Sequence, residues 1–213
     1  LRSPEEAVAF LIAVKSMLEY GEISDCRMEQ GSLRCDANIS LRKKGQNALN
    51  TRVELKNLNS FKELKKALEY EEKRQKKLYT LKEEDKIVQE TRRWEAVKEE
   101  TIPMRSKEDA DDYRYFPDPD LGPIIINDTL IREIKKNLPE MPVIRKKRFR
   151  ELYGLKNKDI DIIVGYKALS EYYEALVSCG AEPKVGAKWI LGSILKLLNE
   201  KRLKAEQIPI PPE

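Results

Sequence analysis

The sequence predicts an α+β fold, an antiparallel sheet backed by helices and followed by a small all-α domain. Three observations carry that prediction. Residues 32–42 and 52–56 alternate polar and apolar side chains, residues 3–20 and the stretch after Ser60 hold amphipathic helical patterns, and beyond residue 127 only helical patterns remain. Alternation with period two marks a strand with one buried face, whereas apolar recurrence at three and four residues marks a helix packed along one stripe.

The first element is a helix over 3–20. Ser3 caps it, Pro4 takes its first position, Glu5 and Glu6 sit in its first turn and Gly21 stops it. Val8, Leu11, Ile12, Met17 and Leu18 form the stripe expected to lie on the sheet. Next, Leu33, Cys35, Ala37, Ile39 and Leu41 alternate with Ser32, Arg34, Asp36, Asn38, Ser40 and Arg42; Val53 and Leu55 alternate with Arg52, Glu54 and Lys56. The turn-rich KKGQNALN between the runs predicts an antiparallel hairpin with a long loop. Ser60 then caps a helix with Phe61, Leu64, Leu68 and Leu78 near one side, the rest reading as a solvated face laced with i,i+4 pairs. A second hairpin is predicted near 87–95 and 100–106. The segment DADDYRYFPDPDLGP follows. It carries Tyr113, Tyr115 and Phe116, whose exposure is costly, so an ordered loop is expected; its prolines exclude helix.

Asp128 is the predicted cap of a short helix holding Leu130, Ile131 and Ile134 and closed by Leu138-Pro139. Another helix carries Val143 onward on one side and Arg145, Lys146, Lys147, Arg148 and Arg150 on the other, and further helices fall near 157–165, 168–179 and 184–200. The last, with Trp189, Ile190, Leu191, Ile194, Leu195 and Leu198, is apolar enough to be central. The expected organisation is a mixed domain over 1–127, a helical domain over 128–204 and a Pro-rich linker over 205–213.

Composition narrows the chemistry. None of the 213 residues is histidine, which removes Ser-His and Cys-His nucleophile schemes and histidine-based zinc sites from this stretch. The three cysteines are scattered without metal spacing and fit reduced thiols of a cytoplasmic protein. No apolar run approaches the ~20 residues that span a bilayer. With 37% charged residues the net charge is only +4, so local clusters matter more than the total. The five cations between 145 and 150 can meet phosphates or simply face water, and Lys146, Lys147 and Arg148 are the candidates for RNA contact.

The polar row on the hairpin has a plain explanation too, because a one-sided antiparallel sheet shows its other face to water. Asp36 and Asn38 argue otherwise, since Asp and Asn compete for the backbone and are depleted in strands. Arg and Lys beside carboxylates, without histidine or thiolate, suit phosphate chemistry. Carboxylate oxygens hold Mg²⁺, and cations offset charge on a transferring phosphoryl group. The sequence has no GxxxxGK[ST] loop and no dinucleotide fingerprint, so a nucleotide site here would be lined by the sheet.

LRSPEEA, EQGSLRCDANIS, VELKNLNSF, LEYEEKRQ, QETRRW and DDYRYFPDPDL, in this order, resemble the GatB family, the B-type subunits of bacterial glutamyl/aspartyl-tRNA amidotransferases. The resemblance covers essentially the whole chain. It implies an internal fragment: the family's first third, with metal-binding residues including a histidine, would precede Leu1, and a tail domain would follow Glu213. It implies a sheet cradle of glutamine-synthetase-like type around ATP and Mg²⁺, then a helical domain. The implied activity is phosphorylation by ATP of the side-chain carboxylate of Glu-tRNA(Gln) or Asp-tRNA(Asn). Amidation would follow, with ammonia released from glutamine by an A-type amidase subunit in an assembly that also holds a small C-type subunit.

On side-chain chemistry, Glu29, Asp36 and Glu54 are assigned to metal or to guiding ammonia, and Arg34, Lys56 and Arg105 to phosphates; Arg34, Asp36, Glu54 and Lys56 form the catalytic set. Asn38, Asn57, Asn59, Tyr113 and Arg114 are assigned to orienting ATP or the substrate end. Gln30 departs from the family, which usually has a second Glu there. The isolated stretch is expected to be inactive alone, and the competing reading is a non-catalytic module that docks tRNA or partner subunits.

Overall fold

The computed structural model describes residues 1–104 and 116–212. Contacts divide the chain into two compact units, one of Leu1–Ala13 with Cys26–Ile125 and one of Val14–Asp25 with Ile126–Glu213.

In the first unit, helix α1 (Pro4–Tyr20) begins where the Ser3 hydroxyl accepts from the Glu6 N–H at 3.1 Å. Strand β1 (Ala37–Ile39) pairs antiparallel with β2 (Val53–Lys56), placing Ala37 opposite Leu55 and Asn38 opposite Glu54. Helix α2 (Phe61–Thr80) is capped as predicted, Ser60 accepting from the Glu63 N–H at 3.1 Å. It is a crossover: β3 (Glu90–Glu95) pairs parallel with β2, and β4 (Glu100–Pro103) returns antiparallel to β3. The sheet is therefore mixed, in the order β1-β2-β3-β4. Parallel pairing needs a long connection, which the 20 residues of α2 supply.

The first strand is shorter than the alternation over 32–42 predicts, because β1 lies at the sheet edge with a partner on one side only. One sheet face buries Val53, Leu55 and Trp94 against Leu64, Ala67 and Leu68 of α2, with Ala7, Val8 and Leu11 of α1 packed beside them. Ile12 and Met17, expected on that stripe, are exposed.

The packed face also holds charge, contrary to the solvated face expected of α2. Glu71 is 0% exposed and accepts from Arg74 at 2.9 and 2.7 Å, from Gln75 at 2.9 Å and from the Thr101 hydroxyl at 3.1 Å. Buried Arg92 of β3 donates to the Thr101 hydroxyl at 2.9 Å, to its carbonyl at 2.7 Å and to Glu90 at 2.8 Å. Buried ions persist when each is paired and bonded, and this network ties β3 and β4 to α2.

The second unit packs α4 (Pro142–Tyr153), α5 (Asn157–Ile163), α6 (Lys167–Ser178), α7 (Pro183–Trp189), a π-helical turn (Ile190–Ile194) and α8 (Leu195–Lys201). Its core includes Tyr20, Phe149, Ile163, Tyr173, Ile190 and Ile194. Helix α3 (Asp128–Asn137) is capped by Asn127, one residue before the predicted Asp128, and none of its residues is buried. The sidedness predicted for α4 is reversed at two places. Val143 and Ile144 are 70% and 60% exposed, while Arg145 is 7% exposed. Arg145 donates to Ser170 at 2.5 Å and to Glu140 at 3.2 Å, and its guanidinium lies 5.4 Å from the Tyr20 ring centroid. Cation and aromatic face thus satisfy one another where two aliphatic chains were expected. Among the described residues no helix is long and apolar enough to cross a membrane.

Candidate functional site

The polar face of the sheet gathers four of the sequence candidates, Asp36, Asn38, Glu54 and Lys56. Cross-strand partners share a face, so the register puts Asn38, Glu54 and Thr91 in one row and Lys56 and Arg93 in the next. Lys56 Nζ stands 3.8 Å from Asp36 Oδ2 and 3.6 Å from Glu54 Oε1, and the Thr91 hydroxyl donates to Glu54 Oε2 at 2.9 Å. Glu95 pairs with Arg93 at 3.3 Å. One ammonium flanked by two carboxylates, with a second cation a strand away, is an arrangement that can meet both a phosphate and a divalent ion. Its solvent access suits a large substrate: the Asp36, Lys56 and Glu54 side chains are 52%, 42% and 34% exposed.

Asp36 and Asn38 also line a cavity of about 760 Å³ along β1, with Arg42, Lys43 and Lys44 of the following loop and an apolar floor that includes Leu11, Ile39 and Leu64. Burial, with the Asp36 charge adding to it, pushes the Cys35 thiol up, so it is no thiolate nucleophile at neutral pH.

Other candidates lie elsewhere or are spent on the fold. Arg34 is exposed just before β1, and Glu29 is exposed in the 3-10 turn Met28–Gln30. Asn57 closes β2 in the left-handed region (φ 63) and donates to the Trp94 carbonyl at 2.9 Å, which makes it a turn residue that aligns β2 with β3. The Asn59 N–H donates to Glu63 at 2.8 Å at the start of α2. Arg105, Tyr113 and Arg114 lie outside the described residues. No group of three or more His, Cys, Asp or Glu able to hold a metal ion occurs among the described residues, so Glu29, Asp36 and Glu54 do not form one. Asp36 and Glu54 alone fit Mg²⁺ better than Ca²⁺, because Mg²⁺ takes one or two carboxylates and completes its shell with water and substrate phosphate.

The α4 cations are largely occupied. Lys146 donates to Asp161 at 2.6 Å, Arg148 pairs with Glu140 at 2.8 Å and Glu174 at 2.6 Å, and Lys147 stands 3.9 Å from Glu151. Thr91, Arg93 and Glu95 belong to the polar face but were not among the sequence candidates. The alternation of ETRRWE carries the signal, obscured because buried Arg92 occupies an apolar phase position.

Comparison with known proteins bears on what this face does. A family model described as the GatB/GatE catalytic domain matches residues 1–132. The B-type subunit of the aspartyl/glutamyl-tRNA(Asn/Gln) amidotransferase of Clostridium beijerinckii is 61% identical over all 213 residues, which cover 44% of that protein. A counterpart in Clostridium acetobutylicum is 54% identical over the same span and 45% of its own length, and one in Carboxydothermus hydrogenoformans is 48% identical over 44% of its length. The chain spans less than half the length of these curated relatives.

Proposed function

The chain belongs to the GatB/GatE catalytic domain family, and from that premise we propose that its sheet face activates the side-chain carboxylate of a misacylated tRNA. In the full-length protein, a Glu-tRNA(Gln) or Asp-tRNA(Asn) carboxylate oxygen attacks the γ-phosphorus of ATP, the bond to the β-phosphate oxygen breaks and ADP leaves. Ammonia then adds to the acyl carbon, loses a proton and expels phosphate to leave the amide. The first step is needed because a carboxylate lacks a good leaving group until it is phosphorylated.

The observation that carries this reading is Lys56 seated between Asp36 and Glu54 on an accessible strand face. Lys56, with Arg93 beside it, offsets charge on the transferring phosphoryl group. Asp36 and Glu54 are the residues that would hold Mg²⁺, whose chemistry there is to neutralise phosphate oxygens. Asn38, opposite Glu54, is placed to orient the substrate end. We read the sheet as part of a larger cradle of glutamine-synthetase-like type, residues 1–127 as the portion contributed here and 128–204 as the helical domain. The same reading places the chain in a cytoplasmic assembly with an A-type amidase partner, which supplies ammonia from glutamine, and a small C-type partner.

The test is Asp36→Ala in the complete assembly, supplied with misacylated tRNA and ATP and trapped with hydroxylamine. Hydroxamate formation falls about 100-fold, while glutamine hydrolysis changes less than about threefold. Undiminished hydroxamate favours the docking-module reading, to which the openness of this face also lends itself.

A further inference from the structure

Leu41 lies between β1 and the basic loop that carries Arg42, Lys43 and Lys44, and side chains hold both of its main-chain groups. We propose that Gln75, the buried α2 residue that takes its N–H, is a positioning residue for the carboxylate activation at the sheet face. The inference rests on that proposed activation and adds the device that keeps the edge strand set for it.

The first observation is that the sheet holds β1 weakly. Its ladder with β2 covers three residues, and its other edge has no strand partner among the described residues. Asp36, which stands 3.8 Å from Lys56, lies just outside that ladder, and Asn38 opposite Glu54 is its middle pair. Short edge pairing opens readily, and a slip by one residue turns every side chain to the other face. The meeting of Asp36 and Asn38 with Lys56 and Glu54 therefore depends on an anchor beyond the ladder.

The second observation is the anchor. The Leu41 N–H donates to Gln75 Oε1 at 3.2 Å, and the Leu41 carbonyl accepts from Asn50 Nδ2 at 2.8 Å and from the Tyr79 hydroxyl at 3.2 Å. Asn50 also donates to that hydroxyl at 2.7 Å and accepts from Gln46 Nε2 at 2.8 Å, which ties the returning loop to the same point. The cavity along β1 is lined by Asp36 and Asn38 on one side of Leu41 in the chain and by Arg42, Lys43 and Lys44 on the other. Holding residue 41 thus sets the strand's carboxylate and amide and the loop's cations together.

The third observation is how the anchor is aimed. Gln75 is 0% exposed, and its Nε2 donates to Glu71 Oε1 at 2.9 Å. A carboxylate only accepts, so it takes the NH₂ end of the amide and turns the oxygen toward Leu41. Glu71 is itself held by Arg74 and Thr101, and Thr101 by Arg92 of β3. Glu71, Gln75 and Tyr79 stand four residues apart, hence on one side of α2, and carry this orientation from β3 and β4 to the end of β1. Core packing alone would be met by Leu or Met at 75, whereas a buried amide is costly unless its bonds are made.

The experiment uses the complete assembly with misacylated tRNA, ATP and hydroxylamine. Gln75→Leu lowers kcat for hydroxamate about tenfold, keeps KM for the misacylated tRNA within about twofold and leaves glutamine hydrolysis unchanged. Amide hydrogen exchange speeds up in the peptide that contains Leu41. Ile87→Ala opens a cavity in the same core without removing a bond to Leu41; it lowers stability and keeps kcat within about twofold. Asn50→Asp removes the donor to the Leu41 carbonyl from a half-buried loop position and lowers kcat in the same way, which keeps the test open should Gln75→Leu misfold. Unchanged kcat in Gln75→Leu and Asn50→Asp, or a fall in Ile87→Ala as deep as theirs, overturns the inference. Asp36→Ala separates it from the reading it rests on. Hydroxamate intact in Asp36→Ala removes the sheet face as the site and this inference with it; hydroxamate lost there but intact in Gln75→Leu and Asn50→Asp removes this inference alone.

Discussion

Glu71→Gln removes the buried carboxylate that α2 contributes to the network beneath the sheet, and its cost can be worked from the contacts. The carboxylate accepts four hydrogen bonds at 2.7–3.1 Å and is 0% exposed. Arg74 and Arg92 then share Glu90, at 3.5 and 2.8 Å, so one of two positive charges is left uncompensated; the Arg92 side chain is only 10% exposed. Breaking one side of a buried ion pair costs about 3–5 kcal/mol, and at a urea slope of about 2 kcal/mol/M the midpoint falls by about 2 M. Trp94, 2% exposed in this core, is the local reporter, read by its emission in a background of the full-length protein that keeps no other tryptophan. Because apolar replacement of a buried pair is often near neutral, Glu71→Leu/Arg92→Met recovers part of the loss. A midpoint shift under about 0.3 M for Glu71→Gln refutes the view that this network holds the sheet to α2.

Three further predictions concern the helical unit. Tyr173 is 0% exposed and donates to the Pro183 carbonyl at 3.1 Å; burial pushes its phenol up, as it does those of Tyr20 and Tyr172. The folded state thus prefers the neutral phenol, so stability is intact below the ordinary value of about 10 and is lost as pH rises beyond it. Tyr173→Phe costs about 1 kcal/mol at pH 8 but flattens the alkaline loss in a denaturation series. Hydrogen bonds from Arg148 above all, then Arg145, hold the Glu140 carboxyl below its usual range. Its contribution is therefore present above about pH 4.3 and fades as pH falls through the folded value, and Glu140→Gln removes that acid dependence. Arg145→Ala costs about 3 kcal/mol in the same assay, against under about 0.5 kcal/mol for Lys147→Ala, because only the former leaves buried partners unpaired.

The elements most legible in the sequence are those fixed by short-range chemistry. Ser60 as a cap, Gly21 as the stop after α1 and the alternation of Val53–Lys56 are local signals, and each sits as read. What long-range pairing decides was less legible. The hairpin spacing gives no hint that β2 runs parallel to β3, so Thr91 and Arg93 were not seen beside Glu54 and Lys56. Charged residues misled where burial paired them: Glu71 and Arg145 read as surface and lie inside. Conversely, Val143 and Ile144 read as core and lie outside, since hydrophobicity alone does not say which stripe of α4 meets the unit.

The most direct measurement of the central idea is affinity labelling with an ATP derivative bearing an acyl group on its terminal phosphate, which transfers that group to the nearest amine. In the complete assembly, with peptide sequencing as readout, the label falls on Lys56 and is suppressed by excess ATP with Mg²⁺. Label that leaves Lys56 untouched while marking a lysine outside the sheet face contradicts the account.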